Sequence, residues 1–262
     1  MFDIHYHLLF DVDDGPKTLE ASLALAEASI AEGVTHIVAT PHANDHYAFN
    51  PELNRQRLEV LKGHLAGRLT LGLGCDFHLS WENVERLRKD PTRYTINGTQ
   101  YLLVEFAESA ISSTMTETFY DMQVNGVTPI ITHPERNPIL VANPRRMAPW
   151  IQGGCLVQVT AASLHGRFGR RAQVMARDLI GRNWVHIIAS DAHSIEGRPP
   201  AMADAYRTIK HEFNQEMADR LCVHNPGDVF RGEVLGPQPE PVGIYDQMKP
   251  VKRGFFTRLF RG

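Results

Sequence analysis

The sequence predicts an α/β protein built as a closed (β/α) barrel of seven strands, with an open doubly wound sheet as the alternative. Two observations carry this. Short apolar runs alternate with helical patterns along the chain, the order that produces a parallel sheet with crossover helices. Those runs are apolar at nearly every position, as strands covered on both faces are. A length of 262 residues, with 43% hydrophobic and 22% charged residues, suits one barrel-sized domain or two small ones.

The strand candidates, in order, are FDIHYHLL (2–9), THIVATPH (35–42), LTLGLGCDFH (69–78), QYLLVEF (100–106), TPIITHPE (128–135), CLVQVT (155–160) and VHIIASDAH (185–193). The first helix, 18–32, follows from apolar residues at Leu19, Leu23, Leu25, Ala26 and Ile30, with Gly33 as its stop. Asn50-Pro51-Glu52 reads as an N-cap, a first-turn proline and an acid, opening a helix to about residue 67. Ser80 caps a shorter helix to Arg88, and further helices cover 116–125, 143–152, 169–182 and 200–221. Asn97-Gly98, just before the fourth strand, suggests a local hairpin turn. No internal repeat is visible. The barrel domain is expected to span 1–236, followed by a flexible tail over 237–262 that is rich in proline, then basic and aromatic.

Composition excludes several classes. A formal net charge of −3 provides no basic field for nucleic acid. Cys75, Cys155 and Cys222 are too few and scattered for a disulfide framework or a thiolate zinc site. Asp3 stands where a secretory signal would carry a cation, and no run of apolar residues is long enough to span a membrane. A cytoplasmic protein is expected.

The chemistry lies at the strand ends. His5 and His7 close the first strand, His42 the second, Asp76 and His78 the third, Glu105 the fourth, His133 the fifth, and Asp191 and His193 the seventh. The sixth offers only Gln158 and Thr160. In a (β/α) barrel these ends converge on one face, where active sites are built. The i,i+2 pairs His5/His7 and Asp191/His193 each place two side chains on one side of a strand. Burying so many ionisable groups together is costly without a cation, so the pattern points to metal. Imidazole and carboxylate ligands without thiolate suit Mn, Fe(II), Zn or similar ions. The surplus of ligands implies two or three ions, with Glu105 able to bridge two. Such clusters activate water and clamp the oxygens of a phosphoester. Arg136, in HPER, and Arg198, beyond DAH, carry guanidinium forks that match phosphate oxygens, although an arginine there can equally be a structural ion pair.

DIHYH, DVDDGPKT, ATPH, YLLVEF, THPER and IASDAH…GRPP, in this order, resemble the PHP (polymerase and histidinol phosphatase) superfamily, and most closely the bacterial capsular and exopolysaccharide tyrosine-protein phosphatases. The resemblance covers about residues 1–230. It implies a distorted (β/α)7 barrel, with a metal cluster activated by Mn²⁺ and with Fe, Zn, Co or Mg as other candidates. It implies hydrolysis of phosphotyrosine on a membrane-associated bacterial tyrosine kinase that regulates capsule or exopolysaccharide synthesis. Carried over by motif, the ligands are His5, His7, His42, Glu105, His133, Asp191 and His193. Asp14 matches an acid that is a ligand or orients one, and Arg136 and Arg198 match phosphate-binding positions. The cysteine nucleophile of other tyrosine phosphatases is absent, since Trp81, Ala161 and Asp228 stand six residues after the three cysteines.

Two positions depart from the family pattern. The residue between the first two histidines is usually small and here is Tyr6. The third-strand ligand is usually a glutamate, and here either Asp76 or His78 fills its place. The leaving-group acid is expected to be Asp14 or His193. Rival readings are a small-molecule phosphomonoester phosphatase of the histidinol-phosphate type, a nucleic-acid-processing PHP module, and a catalytically weakened interaction protein. In the tail, Lys252, Arg253, Arg258 and Arg261 beside Phe255, Phe256, Leu259 and Phe260 suit a weak membrane contact or a disordered end.

Overall fold

The computed structural model describes residues 1–244, in which nine short strands, all paired in parallel, line a barrel covered by ten α-helices. In chain order they are β1 (Phe2–Tyr6), α1 (Leu19–Ala31), β2 (His36–Ala39), β3 (His42–Ala43), α2 (Pro51–Leu65), β4 (Thr70–Leu73), β5 (Asp76–His78), α3 (Trp81–Lys89), β6 (Tyr101–Glu105), α4 (Met115–Val124), β7 (Thr128–Thr132), α5 (Pro138–Ala142), α6 (Ala148–Gln152), β8 (Leu156–Thr160), α7 (Gly169–Gly181), β9 (Ile187–Ala189), α8 (Met202–Glu212), α9 (Gln215–Asp219) and α10 (Asn225–Arg231). The caps expected at Asn50 and Ser80 form, each accepting a backbone N–H of the helix that follows, and Thr18 does the same for α1.

The strands form two sheets, ordered β1-β2-β4 and β3-β5-β6-β7-β8-β9. The second and third strand candidates are each interrupted, at Thr40-Pro41 and at Gly74-Cys75, and pass from one sheet to the other. Pro41 has no N–H to give the ladder. Pairing nevertheless runs on through the kinks, with the Gly74 N–H donating to Ala39 O (2.8 Å) and the Asp76 N–H to Pro41 O (3.1 Å). Counted through their kinks, the strands number seven. The ring closes where the Asp191 N–H donates to His5 O (2.9 Å) and the His7 N–H to Ala192 O (3.0 Å). The sheet is therefore closed and distorted, and the open alternative is excluded.

The β1–β2 register shifts by one residue between Asp3 and Tyr6. This bulge lets Ile4 face Val38 in one apolar group while His5 and His7 enter the polar end of the barrel. Ile4, Val38, Leu103, Ile130, Ile187 and Ala189 form that group below the polar end, and a larger cluster packs the strands against the helices. Tyr6 belongs to the larger cluster. It is fully buried, and its hydroxyl lies 3.1 Å from Leu25 O and 2.8 Å from Ser29 Oγ on α1. The bulky residue between the two histidines thus ties the barrel wall to its first helix.

Several local expectations are corrected. Asn97 and Gly98 have positive φ (52° and 69°) but make no hairpin, because the flanking strands pair in parallel. Asn97 instead accepts the Leu73 N–H (3.0 Å) and donates to Phe230 O (2.8 Å), bridging the barrel floor. The helix expected over 143–152 is a 3-10 turn followed by α6, and α5 precedes it, capped by Asn137. The helix expected over 200–221 breaks at Asn214, whose side chain caps α9, and α10 follows. Residues 237–244, expected to be flexible, pack on the barrel. Trp184 Nε1 donates to Val242 O (3.0 Å), the Val242 N–H donates to Arg182 O (2.8 Å), and Ile244 is buried. The basic and aromatic part of the tail, with its suggested membrane contact, lies outside the described residues.

Candidate metal centre

The strand ends bring His5, His7, His42, Asp76, Glu105, His133, Asp191 and His193 into one cluster, with Asp14 at its mouth. Their side-chain donor atoms form four overlapping groups, each with its atoms within 4.8 Å of one another: His7, Asp14, His42 and His193; His5, His7 and Asp76; His5, His133 and Asp191; and His42, Asp76 and Glu105. Asp76 supplies the third strand's share, with Oδ2 3.1 Å from His42 Nδ1 and 3.5 Å from His5 Nε2. His78 belongs to none of the four groups.

The imidazoles are aimed from behind. His5 Nδ1 lies 3.1 Å from Gln158 Oε1, and His7 Nδ1 lies 2.7 Å from Asp13 Oδ2. Both partners are acceptors there, so each ring donates from Nδ1, and the neutral form that a metal ligand must take has its lone pair on Nε2. Both Nε2 atoms are buried and lack hydrogen-bond partners, as does Asp76 Oδ1. Buried lone pairs converging without donors fit a divalent cation, and the back-side acceptors are those that metal-bound histidines use. The donor set is nitrogen and oxygen throughout, with no thiolate.

The loop before α1 makes a close approach. Asp13 also accepts the N–H groups of Gly15 (2.9 Å) and His42 (3.2 Å). A Cβ on Gly15 would stand 2.7 Å from His7 O, so the DDG turn requires glycine here. His133 (φ 33°) and Asp191 (φ 53°) hold left-handed backbone, which costs a non-glycine residue about 1 kcal/mol or more. Both are cluster residues, and the Asp191 N–H bond to His5 O fixes one of them.

Charge within the cluster is strongly perturbed. Burial disfavours a charged His7, but Asp13 overcomes it and raises the imidazole to about 9. Burial likewise opposes His42, which Asp14 and Asp76 raise to about 11. Burial, reinforced by Asp76, lifts the Glu105 carboxyl to about 7. Burial, aided by the charge of His7, lowers His193 to about 4. Burial and then Arg136 hold His133 well below the usual imidazole range. Asp14 stays well below the carboxylate range because its bonds to His193 and His42 outweigh its partial burial.

Arg136 and Arg198 both pair with Asp191 Oδ2, while Oδ1 faces His5 and His7 at 3.4 Å each. Arg198 Nη1 also lies 3.1 Å from His193 Nε2, and the Arg136 guanidinium lies 4.3 Å from the centre of the Phe168 ring. The two side chains are 23% and 27% exposed, so both reach from the buried cluster to its rim.

Three contributors escaped the sequence reading. Gln158 stands at the strand end with least to offer, and Asp13 sits inside DVDDGPKT with no role of its own in the sequence. Glu135, inside HPER, is fully buried and accepts from the Thr160 N–H (2.9 Å) and Ser163 Oγ (2.7 Å), holding the loop after β8. Its signal was an acid between two site residues.

The family model for capsular polysaccharide synthesis, CpsB/CapC, matches residues 1–231. The putative tyrosine-protein phosphatase CapC of Staphylococcus aureus is 39% identical over 203 residues, covering 76% of this chain and 79% of that protein. The tyrosine-protein phosphatase CpsB of Streptococcus pneumoniae is 32% identical over 244 residues, covering 90% of this chain and all of the relative. A solved structure, from work on YwqE of Bacillus subtilis and CpsB of S. pneumoniae as metal-dependent tyrosine phosphatases, superposes with a TM-score of 0.85 at 31% identity. It covers 92% of this chain and 99% of that one.

Proposed function

This chain belongs to the CpsB/CapC family of capsular polysaccharide synthesis, and from that premise we propose that it is a metal-dependent protein-tyrosine phosphatase. The observation that carries the reading is the pair of back-side acceptors, Asp13 and Gln158, that leave the Nε2 atoms of His7 and His5 buried and unpartnered beside two carboxylates.

The residues that would hold two or three divalent ions, Mn²⁺ foremost, are His5, His7, His42, Asp76, Glu105, His133, Asp191 and His193, with Asp14 completing or orienting the set at the mouth. When bound, the ions supply positive charge for the phosphoryl oxygens and Lewis acidity that activates water. The protein's own contribution is positioning. Arg136 and Arg198 direct two guanidiniums at the rim, where they orient the phosphoryl group and neutralise its charge. The Phe168 ring holds the Arg136 guanidinium in place from its other side. The buried walls around His5 and His7 exclude bulk water. A tyrosine phenolate, with a conjugate-acid pKa of about 10, leaves far more easily than an alkoxide.

The substrate proposed is phosphotyrosine on a membrane-associated bacterial tyrosine kinase acting in capsule or exopolysaccharide synthesis, met in the cytoplasm. The names of the relatives support the phosphotyrosine and capsule parts of this reading. Among the described residues no helix is long and apolar enough to cross a membrane.

The test is release of phosphate from a phosphotyrosine peptide by purified protein, with Mn²⁺ and after chelation, beside elemental analysis of bound metal. Metal-dependent hydrolysis that falls steeply in Arg136→Ala and His193→Ala supports the proposal. Absence of both metal-dependent hydrolysis and bound metal sinks it.

A further inference from the structure

A groove of about 910 Å³ opens beside the metal centre, between α5 and the start of α7. Its walls include Val141, Phe168 and Val174, with Arg136, Arg170 and Arg171 along its length. It is continuous with the centre through one side chain. Arg136 pairs with Asp191 in the cluster and lies against the Phe168 ring, and both Arg136 and Phe168 line the groove. A chain whose phosphate meets Arg136 therefore has neighbouring residues over Phe168 and into this groove.

The uncommitted charge of the groove leans positive. Glu135 is committed to Thr160 and Ser163, and Asp178 is paired with Arg182 at 2.8 Å. Glu108 is the other lining carboxylate. Arg170 bonds only the neutral Gln173, and neither Arg170 nor Arg171 stands in any of the ion pairs among the described residues. Both occupy the first turn of α7, which has no side-chain cap and no acid. Positive charge there opposes the helix dipole, so helix stability does not account for these two arginines. Val174 is 49% exposed at the groove wall, an apolar side chain open to a ligand.

We propose that this groove holds the polypeptide segment next to the phosphotyrosine, and that Arg170 and Arg171 select acidic side chains within it. The proposal rests on the phosphatase reading above. It makes the enzyme a reader of acidic sequence context around its target tyrosine, with affinity from apolar contact on Phe168 and Val174 and selectivity from charge.

The experiment compares kcat and KM for two phosphotyrosine peptides of equal length, one flanked by Asp and Glu and one by Lys, with p-nitrophenyl phosphate as an aryl ester too short to extend from the centre into the groove. The proteins are the Mn²⁺-loaded native chain, the double variant Arg170→Glu/Arg171→Glu, and Val174→Asp. The native chain is expected to favour the acidic peptide. The double variant should raise KM for that peptide by about tenfold, improve the basic one, and leave p-nitrophenyl phosphate within about twofold. Val174→Asp should raise KM for the acidic peptide with the small ester unaffected. Acids in the first turn of α7 suit the dipole, so the double variant's melting temperature should not fall. If the native chain hydrolyses both peptides alike, or if the variants slow the small ester as much as the peptides, the groove has no such role and the phosphatase reading stands. If no phosphotyrosine is hydrolysed at all, both readings fall together.

Discussion

The Nδ1 atom of His7 stands 2.7 Å from Oδ2 of Asp13, and the same carboxylate accepts the backbone N–H groups of Gly15 and His42. Asp13 therefore fixes a cluster imidazole, the turn before α1 and the start of β3 at once. Asp13→Asn keeps the shape but removes the charge, and its amide can turn an N–H toward His7 and drive that ring's proton onto Nε2. Metal affinity is expected to fall about 10–100-fold. Titrating activity with Mn²⁺ checks this, and an unchanged midpoint would show that Asp13 does not orient His7.

Asp76, not His78, occupies the cluster. Asp76 is 1% exposed and lies within reach of His5 and His42, whereas His78 joins no group of donor atoms. Asp76→Ala should lower kcat/KM by at least about 100-fold, while His78→Ala stays within a few-fold of native. The reverse ranking, measured at saturating Mn²⁺, would return the third-strand position to His78.

Tyr6 is fixed by packing rather than chemistry. Removing its hydroxyl in Tyr6→Phe leaves Ser29 Oγ without that partner in a buried site, at a cost of about 1–2 kcal/mol. The melting temperature should drop by about 2–8 °C. Turnover at saturating metal should change less than about twofold, because the ring faces α1 and not the cluster. A large loss of turnover with unchanged stability would place Tyr6 in the chemistry instead.

These cases show why part of the centre was legible in the sequence and part was not. His5, His7, Asp191 and His193 stand at strand ends with i,i+2 spacing, and a parallel barrel gathers such ends whatever the loops do. The residues behind the cluster histidines follow no such rule. Gln158 matters because β8 happens to face His5 across the barrel, and Asp13 because a glycine turn folds back on His7. Both are contacts between side chains far apart in structure type, with no period to reveal them. The strand breaks were hidden for a similar reason. Thr40-Pro41 and Gly74-Cys75 kink strands whose apolar patterns continue unbroken, so periodicity alone reads each as one element. Proline-rich composition likewise does not reveal that Trp184 anchors the chain at Val242.

Asp3 makes the stability of the fold depend on pH. It is completely buried, and burial raises its carboxyl from 3.8 to about 7, against the opposing bonds from Ser190. Below about pH 4 the group is protonated whether the chain is folded or not, so it contributes nothing to pH dependence. Between about 4 and 7 the unfolded chain releases this proton and the folded chain keeps it, so stability falls as pH rises. Above about 7 the loss is complete, about 4 kcal/mol at most for a shift of this size. Asp3→Asn retains an oxygen for the Ser190 N–H and cannot ionise. Relative to the native chain, this variant should therefore gain about 2–3 kcal/mol of unfolding free energy between pH 5 and pH 8. Urea unfolding at the two pH values, with chelator present to hold metal occupancy constant, measures that difference. If native and variant chains keep the same separation at both, Asp3 ionises in the folded protein as it does in water, and the acid-side stability must come from other carboxylates.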